Sequence, residues 1–247
     1  MNRIDRFGVM FGRLSLPSWP LRARAHEPEL LDLADLDPVE LRANLRELAL
    51  LNRLPGGVGA SIRAMQRLAG DDEISILDVG TGGGDMPLAF ARHASRRDRW
   101  RVIASDSRPE ILDLAAAWTA SDPNVSTLLA DGRHLPIGDG EVDIAHASLL
   151  LHHLDPPDAV LVLRELRRVS RRGVVVNDLQ RGILPCALTA LTVAALARSR
   201  YTRHDGILSA RRAYTLAELD SMLAEAGLGR AWRSSTLLPR VVTAALA

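Results

Sequence analysis

The sequence predicts an α/β fold: a mostly parallel seven-stranded sheet with helices on both faces. Three observations carry the prediction. From residue 74 onward, short apolar runs alternate with segments whose apolar residues recur every three or four positions. The runs are β-branched and continuous, Val174-Val175-Val176 being the clearest, as strands covered on both faces require. The first run ends in a glycine-rich turn that leads straight into a helical segment.

Ahead of this alternation, residues 28–69 read as helical. Leu41, Leu45, Leu48 and Leu51 follow Asp37-Pro38, a helix-start pair, and Ile62, Met65 and Leu68 resume the pattern after Pro55-Gly56-Gly57 breaks it. Residues 74–79 form the first strand. A helix over 85–94 follows, with Asp85 placed to cap it and Pro87 tolerated in its first turn. Residues 101–105 are the second strand, and Ser107 and Glu110 have capping-box spacing before a helix carrying Ile111, Leu114 and Ala115. Strands at 125–129 and 142–147 precede a helix over 156–170 with Ala159, Leu163, Leu166 and Val169 on one face. The fifth strand spans 173–177. The apolar stretch 183–197 contains Pro185 and is too short to span a bilayer, so it reads as a buried or lid-forming helix. Thr215 and Glu218 form another capping box, opening a helix with Leu216, Leu219, Met222 and Leu223 that Gly227 closes. Residues 231–237 and 241–246 supply two final strands.

Composition bounds the function. With 47% hydrophobic but only 4% aromatic residues, the core is sizeable and aliphatic. A net charge of +1 gives no bulk attraction to nucleic acid, and all 31 basic residues are arginine. Cys186 is the single cysteine, which excludes an internal disulfide and a cysteine-rich zinc site; a reducing, cytoplasmic setting is expected. No metal constellation stands out, and none is expected. The first 26 residues carry Arg3, Arg6, Arg13, Arg22 and Arg24 but lack the apolar core of a secretory signal, and read as an arm or a cap over a pocket.

Ligands on such sheets bind beyond the carboxyl ends of the strands. The first strand ends in Leu77-Asp78-Val79-Gly80-Thr81-Gly82-Gly83-Gly84-Asp85. Gly80 and Gly82 fit a dinucleotide fingerprint, but Asp85 holds its third glycine position, where a carboxylate opposes a pyrophosphate. No G-K-[ST] follows, so a P-loop is absent. The pattern Asp78-x-Gly80-x-Gly82-x-Gly84 instead resembles motif I of class I S-adenosylmethionine-dependent methyltransferases. Ser148-Leu149-Leu150-Leu151-His152-His153-Leu154 is similar to the corresponding segment of ubiquinone/menaquinone-biosynthesis-type enzymes. The resemblance covers roughly residues 74–178. It departs from the family before the fifth strand, where Ser170-Arg171-Arg172-Gly173 replaces a Leu-Lys-Pro-Gly-Gly turn.

The resemblance implies a Rossmann-like class I methyltransferase fold over residues 71–247, a substrate-covering insertion at about 179–213, and an N-terminal helical cap or arm over 1–70. It implies S-adenosylmethionine as cofactor and S-adenosylhomocysteine as product. The cofactor-binding set is Asp78, Gly80, Thr81, Gly82, Gly84, Asp106, Ser107, Arg108, Asp131, Gly132 and Ser148, with Asp106 on the ribose and Asp131 on the adenine amino group. A carboxylate accepts from both ribose hydroxyls, and acids suit a ligand carrying an ammonium and a sulfonium.

Methyl transfer is an in-line displacement in which alignment and water exclusion matter most, with a general base for hydroxyl or acidic carbon acceptors. His153, His152 and Asp178 are the catalytic candidates; Arg181, His204, Asp205, Arg211, Arg212 and Tyr214 rank behind them. The greasy stretch 188–196 and the N-terminal helices point to an enclosed pocket for a small, largely apolar acceptor such as a phenol, quinol or polyketide-like ring, methylated on oxygen or carbon. A homodimer is compatible with this reading. Two alternatives use the same cofactor fold. A tRNA or rRNA methyltransferase would draw on Arg96-Arg97-Asp98-Arg99, Arg167-Arg168 and Arg171-Arg172, but no aromatic stacking platform accompanies them. A non-catalytic cofactor-binding partner protein would keep the loop without chemistry.

Overall fold

The computed structural model describes residues 23–33, 35–70, 73–93, 100–234 and 239–246. Arg3, Arg6, Arg13 and Arg22 of the arm, the run Arg96, Arg97, Asp98 and Arg99, and the far end of the sixth predicted strand lie outside them.

Among the described residues, seven strands form one sheet: β1 (Ser75–Val79), β2 (Arg101–Asp106), β3 (Val125–Leu129), β4 (Val142–Ser148), β5 (Ser170–Leu179), β6 (Gly229–Arg233) and β7 (Arg240–Leu246). Their order is β3-β2-β1-β4-β5-β7-β6, and only β7 runs antiparallel to its neighbours. The order reverses between β1 and β4, so the carboxyl ends of β1, β2 and β4 open a crevice there.

Among the described residues, eight α-helices connect or cover the strands: α1 (Pro38–Leu51), α2 (Val58–Ala69), α3 (Asp85–His93), α4 (Pro109–Thr119), α5 (Pro156–Val169), α6 (Ile183–Leu196), α7 (Arg200–Arg212) and α8 (Leu216–Glu225). The period-two pleat divides the strand residues between two cores. Leu77, Val79, Ala145, Ala147, Val174 and Val176 pack with Leu163 and Leu166 of α5 and Leu223 of α8. Ile76, Val102, Ile144, Val175 and Val242 face the other way, onto Met65 of α2 and Phe90 of α3. Each valine, leucine, isoleucine, methionine or phenylalanine fully buried here contributes about 1.5–3 kcal/mol. A third cluster, Leu41 and Leu45 of α1 with Ile111 of α4, lies over the sheet's carboxyl edge.

Several helix ends follow the sequence. Asp37 accepts from the Val39 and Glu40 amides at the start of α1. Thr215 and Glu218 form the reciprocal capping box of α8, and Gly227 (φ 76°) supplies the left-handed residue that ends it. Other expectations need correction. Ser107 does not cap α4: the cap position is Arg108, because Pro109 has no N–H to satisfy and fits the first helical residue. Asp85 is itself the first residue of α3 and directs its carboxylate to Asn52 Nδ2, 2.9 Å away. No turn precedes β5. The strand begins at Ser170, and Arg171 and Arg172 are drawn onto the buried Asp143 carboxylate at 2.9 and 3.0 Å. The apolar stretch after β5 becomes α6, whose Pro185, Cys186, Thr189 and Val193 face inward while Ile183, Leu184, Leu191 and Leu196 are exposed. Among the described residues, no helix is long and apolar enough to cross a membrane.

Candidate functional site

The turn after β1 is bent by Gly80 (φ 71°) and Gly84 (φ 78°), in the region an L side chain rarely adopts. A Cβ on Gly80 would come 2.9 Å from Leu150 Cδ1, so the loop also needs glycine there for space. Asp78 anchors it from below. Fully buried on β1, its carboxylate accepts from Thr81 Oγ1 at 2.7 Å and meets His146 Nδ1 at 2.5 Å.

This pair opens a continuous buried chain. His146 Nε2 lies 3.0 Å from Ser61 Oγ, which accepts from Asn177 Nδ2 at 2.8 Å. Asn177 Oδ1 accepts from Arg240 Nε at 2.9 Å, and Arg240 also bonds Ser148 Oγ at 2.7 Å and Asn52 Oδ1. Asn52 then reaches Asp85, so both flanks of the glycine turn are tied to one network. Burial draws the Arg240 pKa down to about 10, which leaves it charged at neutral pH, and burial pushes the Asp85 carboxyl up. Among the described residues, no carboxylate lies within ion-pair distance of Arg240.

Asp106 closes β2. It is 8% exposed, and its two oxygens accept from the Gly82 and Arg108 amides at 3.1 Å each. Burial raises its pKa against those backbone bonds. Ser107 borders the same space, while Arg108 turns to Leu31 O (2.6 Å) and Glu110 (2.8 Å), clamping the N-terminal segment to the end of β2. Asp131, after β3, is more open. Arg133 holds it at 2.6 Å, and this hydrogen bond lowers its pKa. Gly132 passes close to Val79, and Leu149 after β4 takes φ 51°, an uncommon conformation for leucine.

The predicted histidines meet acids from distant parts of the chain. His152 and His153 lie in a short 3-10 turn (Leu151–His153) after β4, their rings 4.3 Å apart. His152 Nδ1 bonds Asp178 at 2.6 Å, and His153 Nδ1 bonds Asp32 at 2.8 Å. Burial would raise the Asp178 carboxyl, but His152 outweighs it and the net shift is downward. Glu29, 2% exposed, faces both rings, and burial pushes its pKa up to about 7. Arg212 bonds Asp32 at 2.6 Å. Arg24, the described arginine of the N-terminal arm, donates to the carbonyls of His152 (2.7 Å) and Leu154 (2.6 Å).

The site is built around one cavity of about 510 Å³. The glycine turn, Asp78, Asp106, Ser107, Arg108, Asp131, Gly132 and Ser148 form its floor and rim, and His152, His153 and Glu29 one wall. Leu45, Leu48, Leu51 and Leu54 with Val193 of α6 make the greasy side. Asp178 does not line it; Asp178 stands behind His152. Asp205 is turned to the Leu30 and Leu31 amides at 2.8 and 3.0 Å, and Arg181 pairs with Glu218 at 2.6 Å. Sequence reading missed Glu29, Asn52, Ser61, His146 and Arg240. None sits at a recognisable spacing, and only the fold brings them together.

Arginines 168, 171 and 172 offer no open basic groove. Arg168 bonds Glu165 and Asp139 at 2.7 and 2.8 Å, and Arg171 and Arg172 share Asp143.

Residues 76–173 match a family model described as a methyltransferase domain. A malonyl-[acyl-carrier protein] O-methyltransferase of Hamiltonella defensa subsp. Acyrthosiphon pisum is 32% identical over 111 residues, which is 44% of this chain and 39% of that protein. An uncharacterised 37.1 kDa protein in transposon TN4556 of Streptomyces fradiae is 38% identical over 100 residues, 40% of this chain and 28% of that one. The matched segments thus span only 28–39% of the length of these two curated relatives. Among solved structures, a SAM dependent methyltransferase from Aquifex aeolicus shares the fold with a TM-score of 0.62 at 18% identity, over 86% of this chain and 99% of that one.

Proposed function

We propose that the protein is a class I, S-adenosylmethionine-dependent methyltransferase that methylates a small, largely apolar acceptor such as a phenol, quinol or polyketide-like ring, a reading supported by the methyltransferase-domain match over residues 76–173. One observation carries this reading. A single cavity joins an acid-rimmed glycine cradle to a leucine-lined side and a polar wall of histidine and glutamate.

The cradle fits the cofactor. The turn takes left-handed backbone at Gly80, and four carboxylates (Asp78, Asp85, Asp106 and Asp131) line the space that a ligand carrying an ammonium and a sulfonium would enter. Asp106 has lone pairs left for two ribose hydroxyls. Asp131 and Gly132 border the adenine end. Arg240, a buried cation with no carboxylate within ion-pair distance among the described residues, is the group to receive the amino-acid carboxylate, and Asp85 beside Asn52 favours the ammonium. When bound, S-adenosylmethionine supplies an electrophilic methyl group on a sulfonium.

The chain's own residues then orient and exclude water. Leu45, Leu48, Leu51, Leu54 and Val193 take up the apolar body of the acceptor. His152 and His153, held by Asp178 and Asp32, meet the acceptor's nucleophilic atom, and Asp178 is a positioning residue. The O-methyltransferase relative makes oxygen the favoured acceptor atom.

The test is calorimetry with S-adenosylhomocysteine, followed by transfer of labelled methyl groups to a panel of phenols, quinols and carboxylic acids beside bulk tRNA. Saturable uptake of the nucleoside and labelling of one or more small acceptors are expected. Labelling of tRNA alone, or no uptake by folded protein, would overturn the reading.

A further inference from the structure

We propose that Glu29, His152 and His153 form a binding site for one divalent transition-metal ion, with zinc the best match. Nε2 of His152 lies 3.8 Å from Glu29 Oε1, and Nε2 of His153 lies 3.8 Å from Oε2 of the same carboxylate. Ligand atoms from all three residues fall within 4.8 Å of one another. Zinc bonds of roughly 2.0–2.2 Å put ligand atoms about 3.4 Å apart on a tetrahedron. The imidazole–carboxylate gaps therefore need to close by about half an ångström, a small side-chain rotation.

The outer contacts point the same way. Each imidazole spends its Nδ1 on a carboxylate, Asp178 for His152 at 2.6 Å and Asp32 for His153 at 2.8 Å. An acid behind the outer nitrogen is how metal-binding histidines are held: it fixes the tautomer and turns the Nε2 lone pair toward the ion. Here two adjacent histidines are braced in this manner and converge on one buried acid.

That acid is the independent sign. Glu29 is 2% exposed, and its Oε1 is buried without a hydrogen-bond partner among the described residues. A buried carboxylate oxygen left bare is costly, and such exceptions call for a ligand. Three acids, Glu29, Asp32 and Asp178, surround the imidazole pair, and Arg212, 3.8 Å from Glu29 Oε1, is engaged with Asp32 at 2.6 Å, so the site favours a cation.

Two imidazoles and a carboxylate suit zinc or its transition-metal neighbours rather than magnesium or calcium, which favour all-oxygen shells. Three protein ligands leave a coordination position open, and the three residues line the cavity. The role of the ion rests on the methyltransferase reading above. The acceptor is then an oxygen compound whose O–H proton passes to solvent, leaving the oxygen on the metal as an anion. Its lone pair forms the new bond to the methyl carbon as the carbon–sulfur bond breaks onto sulfur.

The experiment uses full-length protein free of any histidine tag and stripped by chelator, with ZnCl2 titrated by calorimetry and CoCl2 by visible absorption. Expected are one-to-one binding, cobalt bands of low-coordinate intensity and a higher Tm with zinc. Glu29→Gln and His153→Gln should each weaken zinc binding at least tenfold, and Asp32→Asn, which touches only the outer shell, about 10- to 100-fold. Circular dichroism in chelator checks the fold of each variant; if one fails to fold, the remaining two are read. Absence of binding by folded wild-type protein, or undiminished binding in the folded variants, would overturn the site. S-adenosylhomocysteine binding is measured on the same samples. Its loss with zinc binding intact would sink the methyltransferase reading and leave the metal site standing.

Discussion

Asp106→Asn tests the cofactor assignment at the carboxyl end of β2. The carboxylate is 8% exposed, and each oxygen already accepts one backbone amide, Gly82 or Arg108, at 3.1 Å. Each therefore has a lone pair left for a ribose hydroxyl. Asparagine keeps the shape but turns one acceptor into a donor, so a ribose hydroxyl loses its charged partner. A hydrogen bond to a charged group is worth about 1.5–3 kcal/mol. At 1.4 kcal/mol per tenfold, Kd for S-adenosylhomocysteine should rise about 10- to 150-fold. Calorimetry measures it, with thermal melting to confirm the fold. The pH dependence is a second readout. Burial raises the Asp106 pKa, so wild-type affinity should fall as pH drops, beginning above the usual aspartate range. The asparagine variant should lose this contribution. A change below about threefold in a folded variant would refute the ribose assignment.

Arg240→Gln should weaken S-adenosylhomocysteine binding about tenfold or more, since a charged hydrogen bond to the ligand carboxylate is lost. Methylthioadenosine, which lacks the amino-acid tail, should bind both proteins alike; equal losses for the two ligands would discard the proposed contact. Asp143→Asn addresses stability. Burial pulls the Asp143 carboxyl up, but hydrogen bonds from Arg171 and Ser75 outweigh it and hold it well below the ordinary range. A depressed folded-state pKa stabilises above the unfolded value of about 4, and that contribution is lost as pH falls through the folded value. Urea unfolding at pH 7 should show the variant less stable by about 1.5–3 kcal/mol, with the gap narrowing below about pH 4. A gap that is constant with pH would contradict the ionic account.

The central strands were legible because burial on both faces writes itself as a continuous apolar run, as at residues 174–176, whereas β3 (125–129), largely exposed at the sheet edge, was legible only from its place in the strand–helix alternation. The glycine turn and Asp106 were legible because each follows a strand end in a fixed order. Local capping was legible only where no stronger neighbour competed. Thr215 caps α8 as expected, but Pro109 displaced Ser107, and Asn52 captured the Asp85 carboxylate. The start of β5 was hidden because Arg171 and Arg172 look like turn residues until Asp143 is seen beside them. The histidine wall was half visible. His152 and His153 stood out, but Glu29 and Asp32 reach them across more than a hundred residues. His146 and Arg240 join through hydrogen bonds between strands whose pairing no local pattern encodes.

The buried chain running from Asp78 through His146, Ser61, Asn177, Arg240 and Asn52 to Asp85 has a thermodynamic corollary. A cradle braced this firmly before any guest arrives surrenders little freedom on occupancy, so contact energy passes into affinity nearly undiminished. The same rigidity makes the seven residues interdependent, and damage at any link should be felt at both ends of the turn.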